Sequence, residues 1–338
     1  MAESLAPLEW SGDAARGVLR LLDQRRLPHE ELWLDFGSPE DVARAIRDMV
    51  VRGAPAIGLA AAYGLVLAAR RGPAAIVEAS RLLAATRPTA VNLAWGLARL
   101  GERARVDPSP EGLLEFARAL HREDVEGNRR MAALGAARIE SGMGVLTHCN
   151  AGAIATGGVG TALGVIAEAQ RQGKRIHVFV DETRPRLQGA RLTAWELSRL
   201  GVPHTLICDG MAASLMARGL VQLAVTGADR IAENGDVANK IGTYGVAIAA
   251  FHHGIPFHVA APASTFDLSL ADGAGIPIEE RDAAEVTDWG GTRICPKETA
   301  VFNPAFDVTP AALVRSIFTD RGEISPVDRE SVRRVIQR

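Results

Sequence analysis

The sequence predicts an α/β protein: a mainly helical N-terminal domain with a few short strands, followed by a domain built on a parallel sheet with helices on both faces. Three observations predict it. Across about 39–140, apolar residues recur at three- and four-residue spacings with polar residues between, the period of an amphipathic helix. From Val145 onward, short and nearly continuous apolar runs alternate with helix-length segments, as in parallel strands buried on both faces. A length of 338 residues is long for one compact core and suits two domains. The linker is weakly marked and falls between about 125 and 143. Gly-Met-Gly at 142–144 closes the first region, so the expected domains are 1–143 and 144–338.

Along the chain, 5–10 and 32–36 read as short strands. Ser38 or Pro39 opens a helix running through Val42, Ile46 and Met49. An Ala-rich helix is expected near 56–70, then others near 73–85, 91–103 and 111–141. The strand candidates that follow are 144–149, 176–180, 205–208, 223–226 and 257–260. Helical patterns come between them at about 159–171, 190–200, 211–218 and 239–253. No repeat of fixed period and no low-complexity tract is present.

Composition narrows the class of function. The apolar fraction is 47%, the charged fraction 23% and the formal net charge −2, values of an ordinary globular protein with no bias toward nucleic acid or an anionic membrane. No apolar stretch reaches the length of a membrane span, and the first residues lack the basic and apolar regions of a signal peptide. Cys149, Cys208 and Cys295 are far apart and odd in number, which argues against a disulfide framework or a zinc site and suits a reducing cytoplasm.

Most strand candidates end in polar or reactive residues. In open parallel sheets ligands bind just beyond the carboxyl ends of the strands, so Cys149, Asp181, Asp209 and Asp229 are expected on one rim. The densest signal is THCNAGAIATGGVGTALG at 147–164, a strand entering a Gly-rich loop with a helix expected to begin near Gly158–Gly160. Such a loop either presents N–H groups to a phosphate or packs strand tightly against helix, and its spacing decides neither. It matches neither Walker A nor the dinucleotide fingerprint in register. Cys149 is either a buried structural thiol or one tuned by backbone dipoles. In VTGADRIAENGDVANKIGTYGVAIAA at 225–250, Asp229 ends a strand and Asn234-Gly235-Asp236 reads as a tight turn. Asn239-Lys240 is then expected to open a helix that buries Tyr244, Val246 and Ile248. A lysine at a helix start opposes the dipole unless it faces a bound anion; otherwise it is a solvated surface residue. Arg52-Gly53-Ala54-Pro55 fits a turn opening a helix, and the planar fork of Arg52 also suits an anion. Gln188 lies in a loop too polar for a core.

At these residues the chain resembles a known family. RGAPAIG at 52–58, THCNAG at 147–152, DETRPRLQGARLTAWEL at 181–197, DGMAASLM at 209–216, GADRIAENGDVANKIGTY at 227–244 and NPAFDVTP at 303–310 together resemble the methylthioribose-1-phosphate isomerases. Those enzymes act in methionine salvage and are related to the regulatory subunits of a translation-initiation exchange factor and to ribose-1,5-bisphosphate isomerases. The likeness covers about 10–316, and the ordered set of motifs is far more specific than any one of them. The resemblance implies a helical N-terminal domain with a Rossmann-like C-terminal domain, and a homodimer. It implies Cys149 and Asp229 as catalytic residues. It places substrate contacts on Arg52, Gly53, Ala54, Arg87, Gln188, Asn239 and Lys240. Neither a metal nor an organic cofactor is implied, and no nucleic acid or membrane partner.

The expected reaction is the conversion of 5-methylthioribose 1-phosphate to the 1-phospho-ketose. Asp229, kept protonated in an apolar site, is the expected acid at the ring oxygen, and Cys149 the base for the C2 proton; a hydride shift from C2 to C1 is the rival route. Three other readings stay open at this point. They are the same chemistry on 5-deoxyribose 1-phosphate or ribose 1,5-bisphosphate, a non-catalytic regulatory homologue, and a dinucleotide-dependent oxidoreductase.

Overall fold

The structure is a computed structural model that describes residues 5–88 and 90–337. Its first part opens with an antiparallel sheet of β1 (Leu8–Ser11), β2 (Val18–Leu22) and β3 (Trp33–Phe36). Five helices follow: α1 (Pro39–Arg47), α2 (Ala54–Ala69), α3 (Pro73–Ala84), α4 (Val91–Val106) and α5 (Pro110–Ala136). Ser38 caps α1 by accepting from the N–H of Asp41 at 3.1 Å, with Pro39 in the first turn, as the sequence predicts. Every residue of α2 from Ala56 to Ala69 is buried, because its apolar residues run all round the helix and its neighbours enclose it. Close approach of α2 to α4 depends on glycine: a Cβ on Gly58 would lie 2.5 Å from the Asn92 carbonyl oxygen. One core spans Leu8 to Leu120, and the later half of α5, from Met131, packs into a different one with the main sheet.

The second part holds β4 (Gly144–Thr147), α6 (Ala162–Arg171), β5 (His177–Asp181), α7 (Ala194–Arg199), β6 (His204–Ile207), α8 (Ala212–Ala217) and β7 (Leu223–Thr226). Then come β8 (Arg230–Ala232), β9 (Val237–Lys240), α9 (Thr243–His252), β10 (Phe257–Ala260), β11 (Phe266–Asp267), α10 (Ala284–Thr287), β12 (Asp288–Trp289) and β13 (Thr292–Arg293). The chain ends with β14 (Phe306–Thr309), β15 (Ser316–Thr319), β16 (Gly322–Ile324) and α11 (Arg329–Ile336). Seven strands form the main sheet in the order β16-β15-β10-β7-β4-β5-β6, all parallel except the β15–β16 hairpin. The chain builds outward from β4 to β5 and β6, then crosses back to β7 on the other side of β4. That reversal creates a crevice beyond the carboxyl ends of β4 and β7, where open α/β sheets bind ligands. Among the described residues no helix is long and apolar enough to cross a membrane.

Four features depart from the sequence reading. Val18–Leu22 is a strand, unanticipated because its alternation is too short to stand out. The helix expected over 159–171 starts at Ala162, and Gly158 and Gly160 lie in the loop before it. Asn239 and Lys240 do not open a helix: they end β9, which pairs antiparallel with β14 some 65 residues later in register Lys240↔Phe306. Helix α9 starts at Thr243 and buries Val246, while Tyr244 and Ile248 are exposed.

Candidate active site

The crevice between β4 and β7 opens into a cavity lined by residues of both parts of the chain. Cys149, just past β4, and Asp229, just past β7, both line it. So do Arg52, Gly53, Ala54, Arg87, Gln188, Asn239 and Lys240. The local sequence explains the approach of α2. Gly53 holds φ 100°, a conformation that L side chains rarely adopt, and a Cβ there would lie 2.6 Å from Ala155 on the far wall. The α2 N-terminus has no side-chain cap and no acidic residue in its first turn, and Gly53, Ala54 and Pro55 line the cavity. Free N–H groups at the positive end of a long helix suit an anion.

Backbone strain gathers here. Among the described residues the non-glycine residues with positive φ are Met49, Cys149, Thr183 and Leu187. Met49 and Cys149 line the cavity, and Leu187 precedes the lining residue Gln188. Thr183 accepts the Cys149 N–H on Oγ1 at 2.8 Å and donates that hydroxyl to the Asp181 carbonyl at 3.0 Å. Strain of this kind costs about 1–3 kcal/mol per residue and persists where surrounding bonds enforce it.

Charge is concentrated as well. Burial pushes the Cys149 thiol up, against the pull of Lys240 and Arg52. Burial likewise raises the Asp229 carboxyl, opposed by Lys240, Arg87 and Arg52. The Lys240 ammonium is lowered by burial, with Cys149 and Asp229 acting the other way. It donates to the Ala305 carbonyl at 2.7 Å and sits 4.8 Å from the centre of the Phe306 ring. Arg52 donates one Nη to the Asn150 carbonyl at 3.0 Å and the other to Asn150 Oδ1. Asn150 Nδ2 in turn donates to the buried Glu196 at 2.8 Å, and the other Glu196 oxygen accepts the Ala153 N–H at 2.7 Å. Held in this way, Arg52 leaves its Nε buried and without a partner. Arg87 Nε and Gln188 Oε1 are in the same condition, and all three residues line the cavity. Unmet donors and acceptors converging on one cavity mark the place of a polar ligand.

Two of the four expected rim residues have other work. Asp181 Oδ2 is 2.9 Å from His148 Nδ1, and Asp209 accepts the N–H groups of Thr183 and Arg184 at 2.7 Å each. With His148 they bring three ligand-type atoms within 4.8 Å of one another; the bonds just named engage both Asp209 oxygens and Asp181 Oδ2, while Asp181 Oδ1 is buried without a partner. The Gly-rich loop engages several of its N–H groups within the protein: Gly158 and Gly160 donate to Thr156 Oγ1 in the loop itself, and Gly157 donates to Asp124 of α5. It shapes the cavity wall through Ala155 and Thr156. Several lining residues were not anticipated, among them Met49, His148, Arg186, Arg281 and Phe306. His148 stands beside Cys149 in its motif and was legible there; Arg281 comes from an irregular segment with no local signal.

The chain is similar to known proteins along almost its whole length. Residues 50–326 match the model of the initiation factor 2 subunit family. A protein of Pelotomaculum thermopropionicum named methylthioribose-1-phosphate isomerase is 54% identical, over 98% of this chain and 94% of its own. The crystal structure of 5-methylthioribose 1-phosphate isomerase from Pyrococcus horikoshii superposes with a TM-score of 0.91 at 41% identity, covering 99% of this chain and 97% of that one. A crystal structure described as the translation initiation factor eIF-2B, subunit delta, from A. fulgidus gives 0.88 at 43% identity, covering 99% and 100%. By these likenesses the chain belongs to the initiation factor 2 subunit family, in the group of it whose members are named methylthioribose-1-phosphate isomerase.

Proposed function

We propose that the protein is an aldose–ketose isomerase that converts 5-methylthioribose 1-phosphate to 5-methylthioribulose 1-phosphate in methionine salvage. The observation that carries the reading is the meeting of Cys149 and Asp229 in one cavity, at the two strand ends flanking the sheet's reversal, with Arg52, Arg87 and Lys240 around them. The α2 N-terminus, Arg52 and Lys240 balance the phosphate, Arg87, paired with Glu279 at 3.4 Å, offers its buried Nε as a donor, and Gln188 and Asn239 bind polar groups of the sugar.

Phosphate on the anomeric oxygen prevents ring opening to a free aldehyde. The C1–ring-oxygen bond must break with the phosphate in place, so the ring oxygen needs a proton. Asp229, raised by burial, is the acid that gives it. Two routes then move hydrogen from C2 to C1. In the first, Cys149 as thiolate takes the C2 proton, an enol forms, and the proton returns to C1 while the 2-hydroxyl proton goes to Asp229. In the second, hydride migrates from C2 to the electron-poor C1 and the 2-hydroxyl again gives its proton to Asp229, so no second base is needed. The upward push on the Cys149 thiol favours the second route, with Cys149 shielding and positioning the substrate. Reaction in deuterated water separates them: solvent deuterium at C1 supports the first, and its complete absence supports the second. The site assignment fails if Cys149→Ala and Asp229→Asn each keep near wild-type turnover.

The substituent at C5 separates the candidate substrates. Arg186 and Arg281 line the cavity but are paired with carboxylates, Arg186 with Glu285 at 2.6 Å and Arg281 with Glu279 at 2.9 Å. Cations already neutralised favour an uncharged 5-substituent over a second phosphate. Profiling methylthioribose 1-phosphate, 5-deoxyribose 1-phosphate and ribose 1,5-bisphosphate tests this order. The reading also takes the protein as a cytoplasmic homodimer of two-domain chains, 1–143 and 144–338. The exposed Tyr244, Ile248 and Phe251 of α9 form the apolar stripe that the pairing would cover.

A further inference from the structure

We propose that His148 is a fixed buried imidazolium of the active cavity, clamped between Asp181 and the Ile241 carbonyl, so that an ion pair of zero net charge turns its positive member toward the cavity beside Cys149. Its functional half rests on the isomerase reading; its structural half does not. His148 and Asp181 are 1% and 0% exposed. His148 Nδ1 lies 2.9 Å from Asp181 Oδ2, and Nε2 lies 2.9 Å from the Ile241 carbonyl oxygen. An ionised carboxylate and a carbonyl only accept, so beside an ionised Asp181 both ring nitrogens must donate, which a neutral imidazole cannot do. Burial works against the charge, yet the hydrogen bond and charge of Asp181, the Ile241 carbonyl and the charge of Asp209 outweigh it and push His148 upward. Burial also lifts the Asp181 carboxyl, against the hydrogen bond and charge of His148. We assign the proton to the ring: Asp209, held by two N–H groups at 2.7 Å each, favours a cation there, and His148 in turn lowers the Asp307 carboxyl against its burial, while the second Asp181 oxygen is buried without a partner.

The ring cannot swing aside. Gly242 packs on it so closely that a Cβ there would lie 2.7 Å from His148 Cε1. One imidazole thereby ties the ends of β4, β5 and β9 together, the first leading to Cys149 and the last carrying Lys240. The loop of bonds closes through Thr183, which joins the Cys149 N–H to the Asp181 carbonyl. His148 is thus a positioning residue: both of its nitrogens are engaged, and the pair it forms with Asp181 is a fixed dipole whose positive end lines the cavity where negative charge develops on the substrate oxygens.

Asp181→Asn separates charge from geometry. The Asn amide can donate to a neutral Nδ1 while Nε2 still donates to Ile241, so the clamp survives while both charges of the pair are lost and the net charge is unchanged. The expected result is a kcat at neutral pH lower by roughly tenfold or more, with KM little changed and Tm within about 3 °C. The deficit should narrow toward acid pH, as the unpaired imidazole regains its proton. In wild-type protein carrying ¹⁵N-labelled histidine, both ring nitrogens of His148 should stay protonated through neutral pH and beyond the ordinary histidine range. A neutral His148 at neutral pH, with the proton on Asp181, overturns the proposal, as does an Asp181→Asn enzyme of near wild-type kcat at every pH. The nuclear resonance needs neither the variant nor turnover. A wild-type protein that fails to turn over the sugar phosphate therefore sinks the isomerase reading while the charge of His148 is still decided.

Discussion

Replacing Gly53 by Ala tests how the α2 N-terminus is held against the cavity. The new Cβ would sit 2.6 Å from both Cα and the carbonyl oxygen of Ala155, and 2.7 Å from its Cβ. Ordinary contact between such atoms is about 3.5–4.0 Å, so the two walls must part by about 1 Å. The φ of 100° adds strain that glycine escapes; together the two effects should cost about 3 kcal/mol. Because Ala155 and Gly53 both line the cavity, the shift moves the helix terminus away from the place proposed for the phosphate. A misplacement of about 1 Å can lower turnover about a hundredfold. The assay is urea unfolding alongside kcat/KM on the sugar phosphate. Gly101→Ala is the control: it lies in α4 with nothing within 4 Å of its Cβ, and it should gain up to about 1 kcal/mol with activity intact. A Gly53→Ala protein with an unchanged urea midpoint and kcat/KM within a few-fold of wild type would show that the two walls do not press on each other as described.

Other perturbations have equally definite outcomes. Glu196→Ala leaves the buried Ala153 N–H without its acceptor and removes one acceptor of Asn150 Nδ2, costing about 2–3 kcal/mol by urea unfolding. It also loosens Arg52 through Asn150, so KM should rise more than kcat falls. Burial pushes the Asp124 carboxyl up to about 6, so its contribution to stability is complete below the ordinary aspartate range and is lost as pH rises through 6. Asp124→Asn should therefore stabilise the protein at about pH 8 by up to about 3 kcal/mol and change little near pH 3.5, read from urea midpoints at the two pH values. Phe251→Glu, on the exposed stripe of α9, tests the proposed pairing: wild type should sediment as a dimer and the variant as a monomer, without lowering Tm by more than about 2 °C.

The helical first part, the alternating second part and the strands whose apolar runs are complete in themselves could all be read from local sequence. Leu223–Thr226 and Phe257–Ala260 match their expected bounds because both faces of these strands are buried, so each run of apolar residues is as long as the strand. The motif residues were legible too, since a resemblance spread over six segments carries its residues together. Everything set by partners distant in the chain had to wait for the folded arrangement. Lys240 ends a strand where local sequence predicts a helix start, because that strand is stabilised by pairing with β14 and local periodicity contains no trace of that partner. Asp181, Asp209, Cys149 and Asp229 all follow or end apolar runs, and nothing local separates them. The order of the strands does: β4 and β7 flank the reversal, so Cys149 and Asp229 open on the crevice, while β5 lies one strand farther out and its Asp181 turns to His148. A residue's neighbours along the chain decide which reactive groups are available, and strand order, a long-range property, decides which of them meet.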